Sequence, residues 1–195
     1  MNTFHFMALS SKMAHNKQVS IARAQAQDLA ALATLSYEAF AAAYEARVPP
    51  AEEADFLLHL QTAFTLAQTE AEWQEPNTTF LLARQTGPGF GGYAKCIYPA
   101  SLPDLPGLQL LHLDRLYVHP ACLRQGIGTA LMQAVFEMAQ SQQCDGLWLC
   151  VWVINQEAKR FYERLGFVQK GYFDFKMGQS HYQDYRMIKE FREVR

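Results

Sequence analysis

Residues 113–132, LDRLYVHPACLRQGIGTALM, carry an apolar strand into a helix through a turn that holds Gly126 and Gly128. A helix start leaves its first N–H groups without carbonyl partners and concentrates partial positive charge there. Glycines let an anion approach that backbone closely, so the turn is suited to grip a pyrophosphate without a dedicated cationic side chain. Two other phosphate loops do not fit the spacing. A dinucleotide fingerprint needs a third Gly or Ala where this chain has Leu131, and a P-loop needs a lysine before the threonine where it has Gly128-Thr129. Taken alone, a Gly-x-Gly turn is also compatible with a plain strand-to-helix connection.

A second stretch narrows the reading. Residues 146–167, GLWLCVWVINQEAKRFYERLGF, read as a buried strand, then Asn155, then a helix that stops at Gly166. Asn155 stands where an N-cap side chain accepts a backbone N–H, and Gly166 where a left-handed residue ends a helix. Phe161 and Tyr162 on that helix read either as packing aromatics or as site residues.

The first stretch resembles motif A of the GNAT superfamily of N-acetyltransferases, Gln/Arg-x-x-Gly-x-Gly/Ala after the fourth strand. Here it reads Leu123-Arg124-Gln125-Gly126-Ile127-Gly128, with Leu123 where the family has Gln or Arg and polar groups one and two residues later. The second stretch is similar to the family's other signature, and the resemblance spans about residues 19–189. It implies an α/β (α+β) GNAT fold, a central mixed, mostly antiparallel sheet of about seven strands flanked by about four helices. Acetyl-CoA is the implied cosubstrate. Backbone groups of Leu116, Tyr117 and Val118 would meet the pantetheine arm and acetyl carbonyl, and Arg124, Gln125, Gly126, Ile127, Gly128 and Thr129 would hold the pyrophosphate. Asn155 matches the Asn that contacts the pantetheine arm, and Tyr162 the tyrosine that protonates the departing thiolate. Such a proton donor typically adds roughly 10²- to 10⁴-fold to a rate.

The implied reaction is direct transfer of acetyl to the primary amine of a small molecule. The amine must arrive unprotonated, which makes His112 and Asp114, on the strand before the turn, the candidate bases. Many family members carry Glu near the place of His112, so a structural histidine is the other reading of that position. Strict alternation puts His112 and Asp114 on one strand face with Leu116 and Val118, opposite Leu113, Arg115 and Tyr117. The ending FDFKMGQSHYQDYRMIKE is similar to that of PaiA-type polyamine acetyltransferases at Phe175, Gly178, Asp184 and Tyr185. Two alternatives stay open: acetylation of a protein N-terminus or lysine, which requires a peptide groove, and a non-catalytic acyl-CoA sensor, since a fold does not imply turnover.

Composition agrees with one domain over residues 19–195, preceded by a mobile leader at 1–18. The chain has 195 residues, half of them hydrophobic and 13% aromatic, enough for a sizeable core. Seventeen basic against 19 acidic side chains, with no Lys/Arg cluster, give no sign of a nucleic-acid or anionic membrane partner. The expected partner is a small molecule, and a homodimer is compatible with the sequence. Cys96, Cys122, Cys144 and Cys150 lack Cys-x-x-Cys spacing, which favours reduced thiols and a cytoplasmic location. The histidines show no metal-ligand spacing, so no metal is expected. Gly178-Gln179-Ser180 is followed by His181-Tyr182, which is no serine-hydrolase elbow.

Along the chain, residues 19–24 read as a strand, and 26–43 as a helix spacing Leu29, Leu32, Leu35, Phe40 and Ala43 on one face, with Asp28 in its first turn. Pro49-Pro50 interrupts it; residues 51–64 and a shorter stretch to Trp73 follow as two helical pieces before Pro76-Asn77. Residues 78–84 and 91–98 read as a hairpin around 86–89, 99–107 as a loop, 108–118 as the motif A strand, and 167–176 with 182–190 as a final antiparallel pair. Residues 48–83 hold Glu52, Glu53, Asp55, Glu70, Glu72 and Glu75 without a Lys or Arg. That segment borders the acceptor site in the implied fold, so its field would draw in a cationic amine such as a polyamine; a solvated acidic helix face is the other reading.

Overall fold

The computed structural model describes residues 19–84 and 89–191, so the leader at 1–18 and most of the turn at 86–89 lie outside the described residues. Strand β1 (Ser20–Arg23) is followed by a short 3-10 turn and helix α1 (Leu29–Tyr44). The Asp28 carboxylate accepts the Gln25 N–H at 3.0 Å and pairs with Arg84 at 2.9 Å, which ties the start of this helix to the second strand. Helices α2 (Glu53–Ala63) and α3 (Leu66–Gln74) come next. They are separate because Thr65 restarts the helix, its hydroxyl accepting the Gln68 N–H at 3.1 Å.

The remaining elements are β2 (Thr78–Arg84), β3 (Phe90–Ala100), β4 (Leu110–Val118), α4 (Ile127–Ser141), β5 (Gly146–Trp152), α5 (Gln156–Arg164), β6 (Val168–Met177) and β7 (Ser180–Glu190). The seven strands form one sheet in the order β1-β2-β3-β4-β5-β7-β6, with β4–β5 the parallel neighbours and every other pairing antiparallel. Among the described residues five α-helices flank it, the expected two helical pieces between Pro50 and Trp73 being separate helices. Strand β3 also extends through Pro99 into the stretch expected to be a loop; the ladder to β4 shifts register between Ile97 and Ala100, where a residue without an N–H is tolerated. Among the described residues no helix is long and apolar enough to cross a membrane.

Helix α4 makes the crossover a parallel strand pair requires. Its Ile127, Leu131, Met132 and Val135 are fully buried against Leu111, Leu113, Leu147 and Leu149. Each such side chain contributes roughly 1.5–3 kcal/mol. On the opposite face, Leu32 and Leu35 of α1 cover Phe80, Leu82 and Tyr93.

Two irregularities of β4 position the site. Its ladder with β3 steps from Lys95↔Arg115 to Cys96↔Leu113, leaving Asp114 as an extra residue, a β-bulge. A bulge reverses the alternation beyond it, which corrects the simple face assignment. Leu111 and Leu113 before it and Leu116 and Val118 after it all join the α4 core, whereas His112, Asp114, Arg115 and Tyr117 line one cavity on the other side. The second irregularity is a splay. Pairing with β5 covers only Leu110–Leu113 against Gly146–Leu149, while β5 stays paired with β7 as far as Trp152. The far half of β4 therefore turns unpaired backbone toward a gap in the sheet.

Candidate active site

A groove of about 610 Å³ starts in that gap and runs to the beginning of α4. Gly126 is the N-cap of this helix at φ +81°, a left-handed conformation that suits glycine, and Arg124 two residues earlier is also left-handed at φ +60°. The first backbone bond into the helix is Ala130 N–H to the Gly126 carbonyl. The N–H groups of Ile127, Gly128 and Thr129 therefore precede it and have no acceptor among the described residues. A Cβ on Gly126 would meet nothing within 4 Å, so the space in front of these amides is open. Together these features fit a pyrophosphate, and Arg47, Arg124 and Arg164 also line the groove.

Most of the residues expected to bind cofactor converge here. Leu116, Tyr117, Val118, Arg124, Gly126, Ile127, Gly128, Thr129 and Asn155 all line the groove, as does Tyr162. Gln125 is the exception; its side-chain amide turns back to donate to the Ala121 carbonyl at 3.1 Å and braces the loop. The Asn155 Oδ1 accepts the Ala158 N–H at 3.2 Å, so this residue caps α5 while facing the groove. The helix it starts ends at Gly166, φ +86°, where Lys189 Nζ donates to the Leu165 carbonyl at 2.8 Å. Burial pushes the Tyr162 phenol well above its ordinary range, so its proton stays in place at any working pH.

A second cavity, about 250 Å³, lies on the His112 side of β4. Tyr44, Asp114, Arg115, Tyr117 and Cys150 line both spaces, which therefore meet at the splayed strands. Its walls are mainly aromatic: Phe40 and Phe64 from the helices, Trp148 and Trp152 from β5, Phe175 and Tyr182 from the last hairpin. His112 stacks on Trp148 with ring centroids 3.6 Å apart and planes 4° apart. Burial lowers its pKa to about 4, against the opposing pull of Asp114, so the ring is neutral. Asp114 belongs to a buried ion network. Lys95 Nζ lies 2.9 Å from it and 3.1 Å from Glu72, and Arg115 grips Glu72 with two contacts of 2.9 Å. Burial alone would raise the Asp114 carboxyl, but Lys95 and Arg115 outweigh it and hold it below the ordinary carboxylate range.

Two residues of the acidic stretch are thus committed. Glu72 is neutralised inside this network, and Asp55 Oδ2 accepts the Gln179 N–H, the Ser180 N–H and the Ser180 hydroxyl at 2.9, 2.9 and 2.7 Å. These bonds staple α2 to the β6–β7 turn and roof the second cavity. Cavity residues without an assigned site role in the sequence include Tyr44, Trp152, Phe173 and Asp184. Asp184 appears there as part of the C-terminal resemblance, as does the cavity residue Phe175.

A groove that ends at a helix start with open amides meets a second cavity at the sheet gap, an arrangement with room for two substrates side by side. The chain belongs to the acetyltransferase (GNAT) family, which residues 37–167 match. It is 31% identical over 143 residues to uncharacterized N-acetyltransferases of Mycobacterium bovis and Mycobacterium tuberculosis, an alignment covering 73% of this chain and 86% of theirs. Among solved structures it resembles a GCN5-related N-acetyltransferase from Rhodopseudomonas palustris, with TM-score 0.67 and 19% identity over 88% of this chain and 95% of that one. It also resembles the PaiA N-acetyltransferase from Thermoplasma acidophilum, solved with coenzyme A, with TM-score 0.67 and 17% identity over 89% and 99% of the two chains. At these identities the structural likeness speaks for the fold. Family membership makes the protein an acyltransferase that uses acetyl-CoA as cosubstrate.

Proposed function

We propose that the protein transfers the acetyl group of acetyl-CoA directly to the primary amine of a small molecule, with both substrates bound at once. The observation that carries this reading is the meeting of the two cavities at the unpaired half of β4. Acetyl-CoA supplies an acetyl group activated as a thioester. Unpaired amides of Ile127, Gly128 and Thr129 at the α4 start hold its pyrophosphate end with the Arg124 side chain beside them, the free edge of Leu116–Val118 aligns the pantetheine arm, and Asn155 flanks it. Tyr162 lines the groove and burial keeps its phenol protonated, so it serves as a hydrogen-bond donor that stabilises the departing thiolate, while the proton the sulfur finally takes is balanced by the one the amine releases to water. On the acceptor side, Asp114 is a fixed negative charge within its ion network. The neutral His112 ring lines the cavity as a hydrogen-bond acceptor that can orient a water, and that water carries the amine proton away.

The Asp55 staple supports a closed pocket over an open peptide groove, which favours a small amine over a protein lysine or N-terminus. Polyamines belong to this class, but Glu72, one of the six acidic residues that pointed to them, has its charge balanced by Lys95 and Arg115. Thiol release from acetyl-CoA, measured while both substrates are varied, tests the reading. Intersecting rate patterns are expected, and parallel patterns would reject direct transfer. Tyr162→Phe should lower kcat roughly 100-fold with acetyl-CoA affinity nearly intact; equal loss of both would remove Tyr162 from the donor role.

A further inference from the structure

We infer that Asp184 is the carboxylate that receives the acceptor's ammonium group, and that the acceptor is a compact primary amine whose remaining body is apolar or aromatic. This rests on the small-amine acetyltransferase reading and specifies its substrate class.

The charged side chains lining the second cavity are Asp114, Arg115 and Asp184, beside His112 and His59. Asp114 and Arg115 belong to the network with Lys95 and Glu72, whose two cations and two anions balance. The Asp184 carboxylate has neither ion pair nor hydrogen bond among the described residues, so it leaves the cavity with one uncompensated negative charge. Its position is central. It lies on β7, with Trp152 of β5 directly across on one side and Phe173 of β6 on the other. Both of these residues line the cavity, so the charge sits among aromatic surfaces.

A carboxylate placed this way is poorly solvated and gains from a cation brought to it. Burial pushes the Asp184 carboxyl up to about 6, which leaves it ionised at neutral pH yet short of a partner. Its charge is felt at the Tyr44 phenol, which lines both cavities, so an ammonium held by Asp184 lies toward the gap where acetyl arrives. Beyond that carboxylate the cavity offers rings and Met177 and no second uncommitted anion. A polyamine would bury its further ammonium groups there without a counter-charge. At about 250 Å³ the space is below the roughly 300–1,000 Å³ of drug-sized pockets, which suits one ring and a short arm.

The test uses the purified full chain, with thiol release from acetyl-CoA measured against 2-phenylethylamine, tryptamine, spermidine and a lysine-containing peptide. The arylalkyl amines should be preferred. Asp184→Asn should raise their KM roughly 10- to 100-fold, the range for loss of a charge-assisted bond, with acetyl-CoA KM unchanged. Wild-type protein supplies a reading that needs no variant: 2-phenylethylamine should bind at least about tenfold more tightly than neutral 2-phenylethanol. Preference for spermidine or the peptide, equal binding of amine and alcohol, or an unchanged KM in Asp184→Asn would each overturn the inference while acetyl transfer stands. Absence of thiol release with every amine, despite acetyl-CoA binding, would overturn the small-amine reading as well.

Discussion

Single residues divide into those whose role is written locally and those that acquire it only when strands come together. Gly126, Asn155 and Gly166 were legible because caps and left-handed turns are set by neighbours a few residues away. Asp184 was not, since nothing in its sequence vicinity reveals that Trp152 and Phe173 flank it and that no cation reaches it. Its burial carries a stability signature. With a folded-state pKa of about 6 against an ordinary 3.8, the group favours the folded state below pH 3.8 and loses that contribution as pH rises through 6. Asparagine does not titrate. Melting curves across pH 3.5–8 should therefore find Asp184→Asn more stable than wild type above pH 6, with the difference vanishing below about pH 4. Titration of Glu72 and Asp114 is common to both proteins and cancels. A variant less stable than wild type at neutral pH would contradict the burial of an unpaired charge.

At the scale of elements, the strands and helices followed from hydrophobic periodicity, and nearly every one lies where its pattern put it. The bulge at Asp114 did not follow, because one extra residue in a ladder leaves no mark in composition yet moves every later side chain to the other face. Likewise Glu72 and Asp55 looked like members of an acidic surface until the fold brought Lys95, Arg115 and the last turn to them. That turn makes a prediction of its own. Gly178 has φ +60°, and a Cβ there would collide with the Asp55 carboxylate. Gly178→Ala should break the staple between α2 and the β6–β7 hairpin, raising the amine KM and lowering Tm by several degrees, while acetyl-CoA binding stays unchanged. Calorimetry and two-substrate kinetics would separate these effects; weakened acetyl-CoA binding would mean that the hairpin supports both cavities.

Across the whole molecule, the order of elements was readable, and the residues expected to bind cofactor were legible as a group because one continuous stretch, from β4 into α4, carries most of them. The acceptor half draws on α1, α2, β4, β5, β6 and β7, so its shape depends on tertiary contacts that no local pattern encodes. The division is physical: the proposed groove site relies on backbone, which tolerates sequence change, while the proposed acceptor site relies on side chains. The central claim is that open amides at the α4 start anchor acetyl-CoA beside the sheet gap. Calorimetric titration with acetyl-CoA of Gly126→Asp and Gly126→Ala, each checked for native circular dichroism, tests it most directly. Alanine adds only left-handed backbone strain, about 1–2 kcal/mol, in open space and should still bind. The folded aspartate variant should show no binding, because its charge faces the pyrophosphate. A natively folded Gly126→Asp protein that binds acetyl-CoA as tightly as wild type would contradict the claim.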